Sequence, residues 1–326
     1  MGFNNIIKIF DALIMTTAKD YDRLQNNYYK LAETIPAEKI FFVGTRDVGS
    51  RVMGAYLDDK VDFLNEDHIL PFDDVHKVMA EHMSPILKGN ELPRGITGWY
   101  YQQFLKMQYA RICEKEYYLV WDGDTIPCKP FSMFREQGDI PYFDMKREFH
   151  KEYFDTLGKL FPGMHKSIEQ SFISEHMLFK CSIMKQMLKD IENNSNILGE
   201  KFWEKIIHAI APQQIQSSSF SEFETYGTYV CCKFPTAYRL RDWHSFRLGG
   251  DFFDPDTITE EDYLWLSHDF DAISFEKGCF VREDHKNLFN NKKYQDKLTA
   301  RQMLEIAQQE FEEGYLEIWD NTGISK

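Results

Sequence analysis

The segment EKEYYLVWDGDTIPCKPF, Glu114 to Phe131, sets an uninterrupted apolar run, Tyr117 to Trp121, directly ahead of two aspartates one residue apart. A short continuous run of this kind, rich in aromatic and β-branched residues, is the pattern of a strand buried on both faces, as in a parallel sheet. Ligands of such sheets bind beyond the carboxyl ends of the strands, near the point where strand order reverses, and Asp122 and Asp124 stand at such an end. Gly123 lets the backbone turn between the acids, and alternation brings their carboxylates close enough to share one divalent cation or a water of its shell. Hard oxygen ligands in small number suit Mg²⁺ or Mn²⁺, which complete their shell with phosphate and water. A strand-end turn capped by Asp and Gly is the plain alternative; the buried run ahead of the acids favours the cation.

Outward from this segment the elements alternate. Phe10 to Thr17 reads as a strand, and the helix after it places Tyr21, Leu24, Tyr28 and Leu31 on one face. Lys39 to Thr45 is a second buried strand closed by Gly44, and a third is expected around His68 to Leu70, ended by Pro71 ahead of a helix opened by Asp73 and Asp74. A long helix, Gly98 to about Lys115, feeds the Tyr117–Trp121 strand. Later, DIPYFDM and SFISEHMLF read as apolar runs. CSIMKQMLKDIE, KFWEKIIHAI and FSEFETYGTYVCC read as helices, and a surface helix is expected in the tail from about Asn287. The class is α/β, a mostly parallel central sheet flanked by helices, with a helical C-terminal extension. No internal repeat, low-complexity segment or Pro/Gly linker divides the chain.

The 326 residues carry a formal charge of −14, 43% hydrophobic and 15% aromatic residues, enough apolar material for a full core. A field of that sign repels nucleic acid and anionic membrane, and a polyanionic ligand needs a local cation to stay. The six cysteines, Cys113, Cys128, Cys181, Cys231, Cys232 and Cys279, include no C-x-x-C pair, and the N-terminus lacks a basic region followed by a signal-peptide core. A reducing cytoplasm is therefore expected. No apolar stretch is long enough to span a bilayer, which leaves peripheral attachment at its inner face open. Ile6 stands where a myristoylation signal needs Ser or Thr.

YYLVWDGDTIPCKPF resembles the D-x-D segment of GT-A-type glycosyltransferases. Its neighbours ALIMTTAKDYDRL, GWYYQQFLKMQYA, SEHMLF and FSEFETYGTY are similar to those of a bacterial group that builds surface polysaccharides. The resemblance covers roughly residues 10 to 250. It implies a Rossmann-like GT-A domain over residues 1–255, with a nucleotide-sugar half to about 130, an acceptor half over 131–255, and the extension over 256–326. It also implies transfer from a nucleoside-diphosphate sugar, UDP-linked, to a hydroxyl of a saccharide or lipid-linked saccharide, with no part for nucleic acid. Asp122 and Asp124 would hold the donor's diphosphate on Mn²⁺ or Mg²⁺. Thr16 and Thr17, at the end of the first strand, and Asp20 would contact the nucleotide, although either threonine would serve equally as a helix N-cap. The helix before the D-x-D strand returns its N-terminus to the level of Asp122. That puts Trp99, Gln102, Gln103 and Lys106 near the ligand, Gln102 and Lys106 on one face, with the positive end of the dipole toward the diphosphate. Asp74 is the weaker candidate there.

Inverting transfer needs one carboxylate to take the acceptor's proton. In GT-A enzymes it often opens a helix lining the acceptor side, which here offers Glu222 and Glu224. Ser221 and Glu224 form the pattern of a capping box, so Glu222 is the expected base. Glu175 is the second choice, with Glu175, His176 and Tyr226 expected against the acceptor and Gly227 shaping the pocket. A third metal ligand is expected from YRLRDWHSFRLGG. There His244 would join the cation, Asp242 being the fallback, and Arg247 would meet the leaving group. Two readings of other classes stay open. One is a haloacid-dehalogenase-like phosphatase, against which Thr125 stands three rather than four residues after Asp122. The other is a non-catalytic sugar-nucleotide-binding subunit.

Overall fold

In the computed structural model, which describes residues 8–135, 140–278 and 288–310, β1 (Phe10–Met15) has a parallel strand on each side. The chain leaves it through α1 (Ala18–Leu24) and α2 (Tyr28–Thr34), adds β2 (Ile40–Gly44), crosses through α3 (Arg46–Ala55) and adds β3 (Val61–Asn65) at the edge. After α4 (Phe72–Leu87) and α5 (Arg94–Gln108) it returns to the other side of β1 as β4 (Tyr117–Asp122). β5 (Thr125–Pro127), β6 (Tyr142–Met145) and α6 (Lys151–Leu160) follow, and β7 (His176–Lys180) closes the sheet antiparallel to β4. The order is β3-β2-β1-β4-β7. The architecture is the expected α/β one, with a mostly parallel central sheet between helices. Strand order reverses between β1 and β4, whose carboxyl ends lie in register, Met15 beside Asp122. That is the crevice where a parallel sheet presents ligands.

The alternation of β4 divides the interior. Tyr118 and Val120 enter a core built with α4, α5 and the helices α7 (Cys181–Glu192), α8 (Phe202–Ala209) and α9 (Glu222–Lys233). Tyr117, Leu119 and Trp121 enter a second core with Tyr21, Tyr28 and Val52. That second core also takes Tyr263, Phe270, Phe275, Phe289 and Met303, so the segment after residue 255 packs onto the sheet. Beyond α10 (Glu260–Leu266) it contributes β10 (Ala272–Ser274) as well as helices. β10 lies between β5 and the short β9 (Ser245–Phe246), which follows β8 (Arg239–Asp242). The expected tail helix spans Ala300–Glu310 among the described residues; Cys279 and the rest of the tail lie outside them.

Three local expectations are corrected. The third strand lies earlier than His68–Leu70, at Val61–Asn65. It is an edge strand whose exposed Asp62 and half-buried flanks interrupt the apolar signal, and Ile69 and Leu70 are buried leading into α4. The helix after β1 is interrupted by a 3₁₀ turn at Gln25–Asn27. α5 begins after Pro93 and ends at Gln108, where a 3₁₀ turn carries the chain toward β4.

Candidate active site

The turn after β4 is held from several sides. Asp122 N–H donates to the Glu175 carbonyl (2.8 Å) and Phe275 N–H to the Asp124 carbonyl (2.8 Å). The Tyr28 hydroxyl donates to Gly123 O (3.0 Å), and Trp121 Nε1 to Thr125 O (2.7 Å). A Cβ on Gly123 would stand 2.6 Å from the Met15 carbonyl oxygen, so β1 and β4 converge too closely there for any other residue. Glu175 itself sits at φ 64°, a left-handed conformation that costs a non-glycine residue energy and aims its carbonyl at Asp122.

Asp122, Gly123 and Asp124 open onto a cleft of about 420 Å³. Thr16 and Asp20 border it on one side, Trp99, Gln102, Gln103 and Lys106 of α5 on another, and Tyr153, Phe220, Glu222 and Phe223 face them. A second lobe of about 430 Å³ continues over the ends of β1, β2 and β3, past Thr17, Thr45, Glu66, Gly95, Gly98 and Tyr101. The two lobes share Met15, Thr16, Asp20, Trp99, Gln102 and Lys277, which form a neck beside the aspartates.

Charge in the cleft is unevenly matched. Lys106 is only 3% exposed and donates to Asp122 Oδ1 and Glu222 Oε1, each at 2.7 Å. Burial works against its charge, but the two carboxylates outweigh it and hold the ammonium above its ordinary pKa. Burial pushes the Glu222 carboxyl up, Lys106 pulls it back, and Asp122 adds to the rise. Gln103 Oε1 accepts the Glu222 N–H (3.1 Å) and so fixes the start of α9. Asp124 makes no ion pair among the described residues, and its side chain meets only Thr125 Oγ1, at 3.5 Å. Burial, with Asp122 and Glu276 beside it, pushes its carboxyl up to about 7 against the pull of Arg247 and Arg23. The carboxylate of Glu66, after β3, likewise has no hydrogen-bond or ion-pair partner among the described residues. Burial and Asp67 push it up to about 7, with Arg94 pulling down.

Of the nucleotide-side candidates, Thr16, Asp20, Gln102 and Lys106 line the cleft with the D-G-D turn, and Thr17 lines the second lobe. Thr17 also caps α1, its Oγ1 accepting the Asp20 N–H (3.2 Å). The other candidates turn inward. His176 stacks on Trp121 and bonds Asp144 Oδ2 through Nε2 (2.8 Å) and Ser174 O through Nδ1 (2.8 Å), so it is a core residue and not an acceptor contact. Tyr226 is fully buried, its hydroxyl sharing a hydrogen with Tyr238 (2.9 Å) and accepting the Lys180 N–H (3.0 Å); it does not reach the cleft. Gly227 lies against Phe172. The Glu175 carboxylate accepts from Lys146 (3.3 Å), Ser245 (3.0 Å) and Arg247 (3.1 Å), behind the turn rather than in the cleft. Arg247 is claimed by Glu148 (3.0 Å), Glu175 and Glu276 (2.5 Å), which removes it from the expected leaving-group contact.

His244 is corrected as well. Its carbonyl accepts the Asp271 N–H (2.6 Å) at one end of β10, whereas Asp124 pairs with Phe275 at the other. Four residues of extended chain separate those levels by about 13 Å. With Asp242 it borders a separate pocket of about 170 Å³. Glu224 completes only half a capping box. Ser221 Oγ accepts its N–H (3.2 Å), while its carboxylate accepts from Ser171 Oγ (2.6 Å) and Phe172 N–H (3.1 Å). Lys277, Tyr153 and Glu66 enter the cleft without any sequence signal that singles them out.

Among the described residues no three His, Cys, Asp or Glu side chains gather to hold a metal. The donor set still fits an ion of the Mg²⁺ type, which needs one or two carboxylates and takes the remainder of its shell from phosphate and water. An ionisable Asp124 without a counter-charge beside a second aspartate is what such an ion would complete.

The chain belongs to a family of unknown function, DUF6492, whose model matches residues 43–291. No curated protein matches it. Solved structures of similar arrangement include the apo form of mouse xyloside xylosyltransferase 1, at 15% identity and TM-score 0.41, covering 85% of this chain and 100% of that one. The galactosyltransferase LgtC with donor and acceptor sugar analogues is similar at 10% identity and TM-score 0.39, covering 89% and 97%. The glycosyltransferase GlyE of Streptococcus pneumoniae TIGR4 is similar at 11% identity and TM-score 0.38, covering 93% and 64%. No helix among the described residues is long and apolar enough to cross a membrane.

Proposed function

We propose that the protein is a metal-dependent glycosyltransferase. It would move a sugar from a nucleoside-diphosphate donor to a hydroxyl of a saccharide or lipid-linked saccharide, in polysaccharide biosynthesis on the cytoplasmic side. The observation that supports this most is the two-lobed cleft with an unmatched acid at its neck. A ligand with two bulky ends and a polyanionic centre suits that shape, provided a cation accompanies it. The nucleoside then fills the lobe over β1–β3, the diphosphate crosses the neck, and the sugar enters the lobe under Glu222. Mn²⁺ or Mg²⁺ held by Asp122 and Asp124 would supply the positive charge that steadies the diphosphate as it leaves. Lys277, 69% exposed at its side chain and paired with Asp20 Oδ2 at 2.9 Å, is placed to turn toward the diphosphate oxygens.

Glu222 accepts the proton of the acceptor hydroxyl as the anomeric carbon gains oxocarbenium character, which gives inversion. Lys106 fixes its Oε1, and the upward pull of burial makes the carboxylate a stronger base than an exposed one. Tyr153, half-buried in the cleft wall, supplies an apolar face on which a sugar ring packs. The test is a screen of UDP-, GDP-, CMP- and dTDP-sugars with Mn²⁺, read by released nucleotide with and without saccharide acceptors. Turnover of p-nitrophenyl phosphate, with no donor bound or cleaved, would replace this reading by the phosphatase one. Nucleotide binding without turnover of any donor would leave a binding subunit.

A further inference from the structure

The lobe over β1–β3 contains an acid that the transfer reaction leaves without a task. Resting on the nucleotide-sugar reading above, we propose that Glu66 selects the donor's base and that this base is guanine. Glu66 follows β3 at the far side of the lobe from the D-G-D turn, half-buried, its carboxylate without a hydrogen-bond or ion-pair partner among the described residues. Arg94, the cation acting on it, is turned to Asp73 (3.5 Å) and lies over the Phe72 ring at 4.2 Å. A half-buried carboxylate kept for structure would be paired, since desolvating it alone costs stability.

An ionised carboxylate only accepts hydrogen bonds, and it does so through two parallel oxygens. Guanine alone among the common bases offers it two adjacent donors, N1–H and N2–H. Uracil flanks its single N–H with two carbonyl oxygens, and adenine and cytosine set a donor beside an acceptor. A bidentate contact of this kind is among the stronger neutral-to-charged recognitions available. The lobe also has room for a flat bicyclic ring. Gly95 and Gly98, at i,i+3 spacing on α5, leave its wall as bare helix backbone, and a Cβ at either would meet nothing within 4 Å. Phe72 and Tyr101, edge to face at 5.0 Å, close the end.

The test titrates the full chain, in Mn²⁺, with GDP, IDP, UDP and ADP by calorimetry and thermal shift. IDP differs from GDP only in lacking the 2-amino group. GDP is expected to bind about 10- to 100-fold tighter than UDP or ADP, with IDP between. Glu66→Gln should erase the preference for GDP over UDP without lowering the melting temperature, and Gly98→Val should weaken all four nucleotides together. UDP binding as tightly as GDP to the unmodified chain overturns the base assignment and leaves the transfer reading standing. A GDP preference that survives Glu66→Gln removes Glu66 from the role. Failure of all four nucleotides to bind overturns the base assignment, and the transfer reading then falls only if the CMP- and dTDP-sugars of the donor screen fail as well.

Discussion

The acids on the two sides of β4 are treated in opposite ways. Behind the strand, Asp144 is matched by Arg241 (2.5 and 2.7 Å) and His176 (2.8 Å), and Glu175 by Lys146, Ser245 and Arg247. In front of it, Asp122 and Glu222 share one ammonium and Asp124 has none among the described residues. Buried charge is costly unless paired, and each rear acid has a cationic partner, although Glu175 Oε2 is buried without a hydrogen bond. On the proposed reading, a bound cation would complete the front set. Both regions are rich in carboxylates; their state of pairing is what separates framework from site.

The largest effects should fall in front. Asp124→Asn is expected to lower turnover by about a thousandfold or more, with an unchanged or raised melting temperature near neutral pH because an unmatched carboxyl is removed. Glu222→Gln should lower turnover by about 10²–10⁴-fold while calorimetry finds nucleotide affinity retained. Near-normal turnover would take the base away from Glu222. Behind the strand the signs reverse. Asp144→Asn strands Arg241 and His176 and should cost about 3–5 kcal/mol in denaturant melts, with turnover per folded molecule little changed. An Asp144→Asn protein that is fully stable but inactive would break the contrast between the two regions.

What the sequence makes legible follows the same division. β4 and its turn can be read because five consecutive apolar residues end abruptly at an Asp-Gly-Asp. The α5 face follows from topology, since a helix feeding a strand must bring its N-terminal turns back to the strand's far end. Pairing cannot be read. Glu175, His176 and Tyr226 stand near element ends as site residues do, but they are claimed by Lys146, Asp144 and Tyr238, which lie 29, 32 and 12 residues away in the chain. Those partners follow from the fold, and nothing local to the three residues announces them. Lys277 enters the neck for the same reason: β10 inserts beside β5, a pairing across some 150 residues of chain with no local signature.

A change of pH sharpens the contrast with a smaller effect. Asp124 titrates near 7 in the folded chain against about 4 unfolded, so its native form holds a proton that the unfolded chain has released. Its contribution to stability therefore falls as pH rises from about 4 to 7. On the proposed reading Mn²⁺ meets the ionised carboxyl, so its apparent affinity should rise about tenfold from pH 6 to pH 8, read as a growing thermal shift. Asp144 behaves inversely. Burial pushes it up, but His176 and Arg241 prevail and hold it below the ordinary range. The stability it contributes is present above about pH 4 and is lost only as pH falls through its lowered value. A Mn²⁺ shift that is flat between pH 6 and 8 would show that the cation does not meet Asp124.

The smallest effect is expected at the third metal ligand that the sequence suggests. His244 sits among three arginines and ahead of a glycine pair, yet its backbone is tied to Asp271 at the end of β10 remote from Asp124. Its side chain is exposed, and the cation site can be completed without it from phosphate and water. His244→Ala should accordingly change Mn²⁺ affinity and turnover by less than about twofold, within the usual range of a surface substitution. A tenfold loss of Mn²⁺ affinity in that variant, with Asp124→Asn no more severe, would require the segment between β8 and β9 to swing across the neck when donor binds. The pairing of acids seen here would then describe only the open state of the cleft.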